Sequence, residues 1–322
     1  MKDKKLIDLL KTDDLGQVPD DTGSSLLPKP IADKIIEEIT ETNILRGLFP
    51  KITVPKNARN LTIPVIQYGT SVNVYTVGYG ADVTDGRNEQ AFTTDAVVLT
   101  PRLLVAYLDV IEDDLETAGI DLARYLRKAL TKKIAEAEAK AMLTGSYQSG
   151  PGAYSRIFNG IYTIASGSSC ASTAVTYTDS DNLVDKIADA RKNLGVYGND
   201  PSDLVLLCSL TFGNKLRKTD RVYNAQYGLE ADVLKRGTLP AIMGIKVFET
   251  SYLDGTESGE VALLVRKDAF IIGERKAIWV REKDLVEKFS KRIIIAEEID
   301  FKPQLKNSSD KFEGIVLIHK SS

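Results

Sequence analysis

The chain carries one histidine, His319, close to its C-terminus, so its residues cannot assemble a histidine-based triad or a His-rich metal site. That residue reads as a solvated terminal histidine. No HExxH, GxSxG, CxxC or GxxxxGK[ST] pattern occurs. Gly145, Gly150 and Gly152 lack the following Lys-Ser/Thr of a phosphate loop and read as turn glycines. Residues 82–89 faintly resemble a calcium loop, but the alternating acids that should precede Gly86 are missing, and a hairpin tip fits better. Asp113 and Asp114 fit the start of a short helix, where acids favour the dipole. Glu297, Glu298 and Asp300 read as alternating strand surface. Cys170 and Cys208 stand far apart among small or apolar residues, as expected of buried thiols in a reducing compartment. These residues point to no enzyme, cofactor or metal.

The elements that would have to position any chemistry are more informative. The 322 residues suffice for a sizeable core and about two domains. A net charge of −3 argues against a dedicated nucleic-acid binder. No apolar run is long enough for a membrane span, and the N-terminus has no signal-peptide core, which predicts a cytoplasmic protein.

Residues 121–144 predict one long helix. Apolar residues recur in steps of three and four at Ala123, Leu126, Leu130, Ile134, Ala137 and Ala141, and neither Pro nor Gly interrupts them. Asp121 can cap its start and Gly145 can end it. Its polar face is expected to carry Arg124, Arg127, Lys128, Lys132 and Lys133, followed by Glu136, Glu138 and Lys140. Six basic and three acidic residues make the helix net +3.

Ahead of it, residues 1–27 read as an arm rich in Asp, Gly and Ser, and residues 28–49 as a short helix leading into the fold. Residues 50–108 read as strand-like pieces in a long hairpin-like excursion, with Asp85-Gly86 as a turn signal. Such an arm has too little core to stand alone in water, so a neighbouring subunit is one candidate support. Past the long helix, residues 145–162 read as a Gly-rich turn into a short strand. Residues 181–194 read as a helix, 203–209 as a buried strand and 210–219 as another short helix. Strands and helices alternate from 155 to 255, and the remainder is strand-rich, so the chain reads as α+β.

Taken in order, these phrases are more specific than any motif. LLPKPIADKIIEEI leads to a β excursion ending in FTTDAVVLTPRLLVAYLDVIEDDLETAG; then come the long helix, FNGI, RVYNAQYGLEADVLKRGTLPAIMGIKVFETSYL and VRKDAFIIGERKAIWVREKD. The chain resembles the major capsid proteins of tailed bacteriophages, over residues ~24–318, a fold shared with encapsulin nanocompartments.

The resemblance implies an icosahedral head shell enclosing double-stranded DNA, with an encapsulin-type compartment as the alternative. It implies a spine helix at 121–144 within a peripheral domain made of 109–154 and 256–322, and an axial domain at 155–255. Residues 50–108 would be the extended loop, with Tyr75, Tyr79, Asp85, Arg87 and Glu89 near its tip as candidate inter-subunit contacts. Arg124, Arg127, Lys128, Lys132 and Lys133 would face inward, near packaged DNA and without reading its sequence. Implied partners are further copies in pentamers and hexamers, a portal protein, possible decoration proteins and no membrane. Because the fold starts within ~27 residues of Met1, a separate scaffold protein, or none, is expected. Implied locations are the virion head and, before assembly, the host cytoplasm.

Overall fold

The computed structural model describes residues 43–66, 94–111, 122–150, 152–218, 241–256, 259–307 and 310–321. Its elements are α1 (Leu45–Leu48), β1 (Lys51–Thr53), β2 (Leu61–Ile66), β3 (Thr94–Leu99), β4 (Arg102–Ile111), α2 (Leu122–Thr144), α3 (Ile161–Ser166), β5 (Val175–Tyr177), α4 (Leu183–Asn193) and β6 (Leu204–Ser209). They continue with α5 (Leu210–Lys218), β7 (Ala241–Ile242), β8 (Ile245–Thr250), β9 (Val261–Arg266), β10 (Phe270–Leu285), β11 (Ser290–Pro303) and β12 (Ile315–Lys320).

The long helix forms over the expected span, as α2. Its stripe changes character along its length. Leu126 and Leu130 are half-buried, whereas Ile134, Ala139, Ala141, Met142 and Leu143 are buried. The C-terminal third is enclosed on more than one side because it runs into the core that the two sheets share. Gly145 ends it with its N–H on the Ala141 carbonyl at 2.9 Å. A Cβ there would collide with the carbonyl oxygens of Ala141 and Phe158, so the turn admits glycine only.

Two sheets carry the fold. The four-stranded sheet has the order β1-β10-β11-β4 and the six-stranded sheet β5-β12-β9-β6-β8-β7; β2 and β3 form a separate antiparallel pair. β10 and β11 form a long antiparallel hairpin, and β4 pairs with β11 from Arg102–Ile299 to Ile111–Ser290. β6 reads LVLLCS and is buried on both faces, as a central strand covered on either side must be. One face meets α4 and α5 through Leu206, Cys208, Ile187 and Phe212. The other joins the core shared with α2, α3 and the four-stranded sheet through Leu207, Leu263, Ile134 and Phe301. Phe301 centres that core, stacked on Phe270 at 4.7 Å between centroids and set against Phe49 at 5.5 Å and Phe158 at 5.7 Å.

Several expectations need correction. Residues 256–322 do not stay together beside the long helix. β9 and β12 lie in the six-stranded sheet, and only β10 and β11 lie in the four-stranded one. β9 and β12 are buried almost throughout, so they need cover on both faces, which a central place in the larger sheet supplies. Residues 50–108 are not all excursion. β1 pairs parallel with β10, and β4 is a full strand of the four-stranded sheet. Of the described residues, only β2 and β3 stand apart from the two sheets, paired over a small core of Val54, Val97, Leu99 and Ile271, and the remainder, 67–93, lies outside the described residues. The stretch after Gly160 forms the helix α3 rather than a strand, since Ile161, Ile164 and Ala165 then bury on one face. His319 is half-buried within β12, paired across to Val261 and Thr176, and not on a solvated tail. Cys208 is buried, while Cys170 is half-buried.

Candidate assembly surfaces

Tyr75, Tyr79, Asp85, Arg87 and Glu89 lie outside the described residues. The five basic residues of the long helix all lie in its first half. Arg127 is engaged: its Nε donates to Glu282 of β10 at 2.8 Å, and Glu282 also meets Lys291 of β11 at 3.2 Å. That pairing holds the Glu282 carboxyl below its ordinary range, the Arg127 hydrogen bond being the main cause. Lys133 reaches Glu136 at 3.3 Å, and Lys140 reaches the same carboxylate at 2.7 Å. Arg124 and Lys128 are exposed and Lys132 is half-exposed. The structure therefore exposes Arg124, Lys128 and Lys133, half-exposes Lys132, and ties Arg127 to the β10–β11 hairpin. Glu138, placed on the polar face by its spacing, is instead buried.

The sheet edge carries a surface absent from the sequence reading. Among the described residues β4 is the outer strand of its sheet, and Leu103, Val105, Tyr107 and Ile111 alternate along one face with 43 to 63% of their surface exposed. A long edge strand carrying apolar residues is a template for pairing with another chain. Tyr107 is held rather than loose: the Arg292 guanidinium lies 4.9 Å from its ring centre and grips Asp109 with two bonds, at 2.5 and 2.7 Å. The same grip keeps the Asp109 carboxyl below its usual range. Beside β4, a groove of about 670 Å³ runs between that strand, α2 and the loop 147–157. Arg102 braces its end, with its guanidinium 3.8 Å from the centre of the Tyr147 ring and Nη1 donating to the Ile157 carbonyl at 2.9 Å. The hairpin tip adds Val286 and Phe289, 79 and 75% exposed, with Phe289 in a left-handed conformation at φ 45°. The alternation L-x-V-x-Y in residues 103–107 was the available signal, but it does not say which face stays open.

The phage capsid family profile matches residues 23–312. The chain belongs to the phage capsid family. The protein is thus a capsid shell protein, located in the phage head, and the match does not favour an encapsulin-type cargo compartment. No curated relative matches the sequence. Solved structures share the fold at low identity. The capsid of a native GTA particle aligns over 93% of this chain and 97% of its own, with a TM-score of 0.69 and 17% identity. The protein of Microbacterium phage Oxtober96 aligns over 92 and 97%, with a TM-score of 0.66 and 16% identity. The capsid of the cyanophage P-SCSP1u aligns over 96 and 98%, with a TM-score of 0.66 and 12% identity. No described helix is long and apolar enough to cross a membrane. No cluster of potential metal ligands occurs among the described residues.

Proposed function

We propose that copies of this chain close into the icosahedral head of a tailed phage around double-stranded DNA, meeting one another along β4 and its groove. The observation that carries this reading is the open, apolar edge of a sheet that is otherwise well packed. Residues 67–93 connect β2 to β3 and bear Tyr75, Tyr79, Asp85, Arg87 and Glu89; from a neighbouring copy they are the natural occupants of that edge, by strand addition or side-chain insertion. The same heterologous contact, repeated around symmetry axes, closes a shell. The GTA capsid, similar in fold, is described with C5 symmetry.

In this reading the six-stranded sheet with α4 and α5 is the axial part, gathered around five-fold and six-fold axes as pentamers and hexamers. The four-stranded sheet with α2 is the peripheral part. A separate scaffold protein and a portal protein complete the head. Arg124, Lys128, Lys132 and Lys133 face the DNA as an unspecific counter-charge. The test is negative-stain microscopy with sedimentation on full-length protein, alone and with its scaffold. Closed shells are expected; failure to form them with scaffold at high concentration refutes the reading. Lys132→Gln with Lys133→Gln should leave shells intact and reduce genome retention. Normal packaging would remove the basic-face assignment alone.

A further inference from the structure

Three charged side chains from distant parts of the chain meet in the interior. Arg46 stands on α1, Glu138 on α2 and Glu297 on β11. Arg46 Nε donates to Glu138 Oε1 at 2.9 Å and Nη2 donates to Glu297 Oε2 at 2.7 Å. Both carboxylate side chains are 1% exposed, against 24% for Arg46. The other oxygen of Glu297, Oε1, is buried with no hydrogen-bond donor among the described residues. β4 places Leu104, not a cation, opposite Glu297. β10 contributes Glu274, whose charge acts on all three members of the cluster. One guanidinium therefore faces two buried carboxylates and the field of a third.

We propose that Arg46, Glu138 and Glu297 form a proton-holding latch, in which one proton shared by the two glutamates seats α1, and with it the chain leading back to the N-terminal segment, against α2 and β11. Two ionised carboxylates in this site would repel each other and leave a bare anionic oxygen out of water, a costly arrangement. One proton removes the excess charge while Arg46 keeps both bonds. Burial is the largest influence on each glutamate and pushes both upward; for Glu297 the neighbouring Glu138 charge adds to the rise. A carboxyl raised in the folded state contributes stability that is complete below its ordinary value and is lost as pH climbs through the raised one. The seat of α1 is thus firmest in acid, loosens as pH climbs toward neutrality, and stays loose above the raised value. This inference concerns the subunit itself and stands whether or not the edge of β4 is the shell contact.

Hydrogen exchange by mass spectrometry on the full-length protein tests it, at about pH 5 and about pH 8, with exchange corrected for its chemical pH dependence. Peptides covering 43–49 should lose protection as pH climbs from the ordinary carboxyl range to the raised value, roughly tenfold for each pH unit, and change no further above it, while peptides covering β9 should not change. Glu297→Gln, neutral and of the same shape, should hold the acid-side protection at both pH values. Arg46→Met should lose it at both. Wild-type protection that does not change with pH would overturn the latch. So would a Glu297→Gln variant that keeps the pH dependence, or one that loses protection even in acid.

Discussion

Val105→Asp is the sharpest perturbation of the assembly surface. Val105 sits between Leu103 and Tyr107 on the open face of β4, 43% exposed in the single subunit, and pairs with the buried Ala296 of β11. An aspartate there points partly into water in the monomer, so folding loses little. A Val, Leu or Tyr side chain gains about 1.5–3 kcal/mol on full burial, so covering the exposed half of Val105 is worth about 1 kcal/mol. An unpaired carboxylate trapped under a neighbour adds a penalty of about 1–3 kcal/mol after relaxation. The contact should weaken by about 2–4 kcal/mol, roughly 30- to 700-fold in its association constant. The assay is sedimentation and negative-stain microscopy across a concentration series, with circular dichroism and thermal melting of the unassembled subunit as the control. The expected outcome is a folded subunit whose shells appear only at much higher concentration. Shells forming at the wild-type threshold would refute the assignment of β4 as a contact edge.

Phe301→Ala removes the ring at the centre of the aromatic cluster and should destabilise the subunit by about 3–5 kcal/mol, read by chemical denaturation; a loss under about 1 kcal/mol would show that the cluster is not the centre of the shared core. In native protein Cys170 should react with a thiol reagent well ahead of Cys208, because Cys208 is buried and its burial pushes the thiol upward; equal rates would contradict the packing of β6. Asp179 is held down to about 2 by hydrogen bonds from Lys215 and Lys320. A depressed carboxylate contributes stability above its ordinary value and loses it as pH falls toward about 2, so Asp179→Asn should flatten that part of the acid unfolding curve. An unchanged curve would show that the exposed network contributes nothing.

The long helix was legible because its evidence is local: an uninterrupted run of helix formers with apolar residues in steps of three and four sets α2 to within a residue of Leu122 and at Thr144. The strand β6 was legible for a related reason, since LVLLCS has no polar alternation and must be covered on both faces. The order of such elements along the chain was enough to indicate the family, which the match over residues 23–312 establishes. The proposed contact edge was not legible: residues 103–107 alternate in either case, and alternation distinguishes two faces without saying which of them a helix or a neighbour will cover.

Tertiary structure alone decided the rest. β9 and β10 are separated by a short turn, yet they enter different sheets, because strand partners are chosen by complementary burial across long sequence separations. Glu297 and Asp300 sit in a stretch that reads as charged surface, but α1 and α2 cover Glu297, and the amides of Thr100 and Phe301 satisfy Asp300 at 2.7 and 2.9 Å. Composition shows how many carboxylates a chain has. Whether one of them is buried, and so must find a donor or hold a proton, depends on what folds over it from hundreds of residues away.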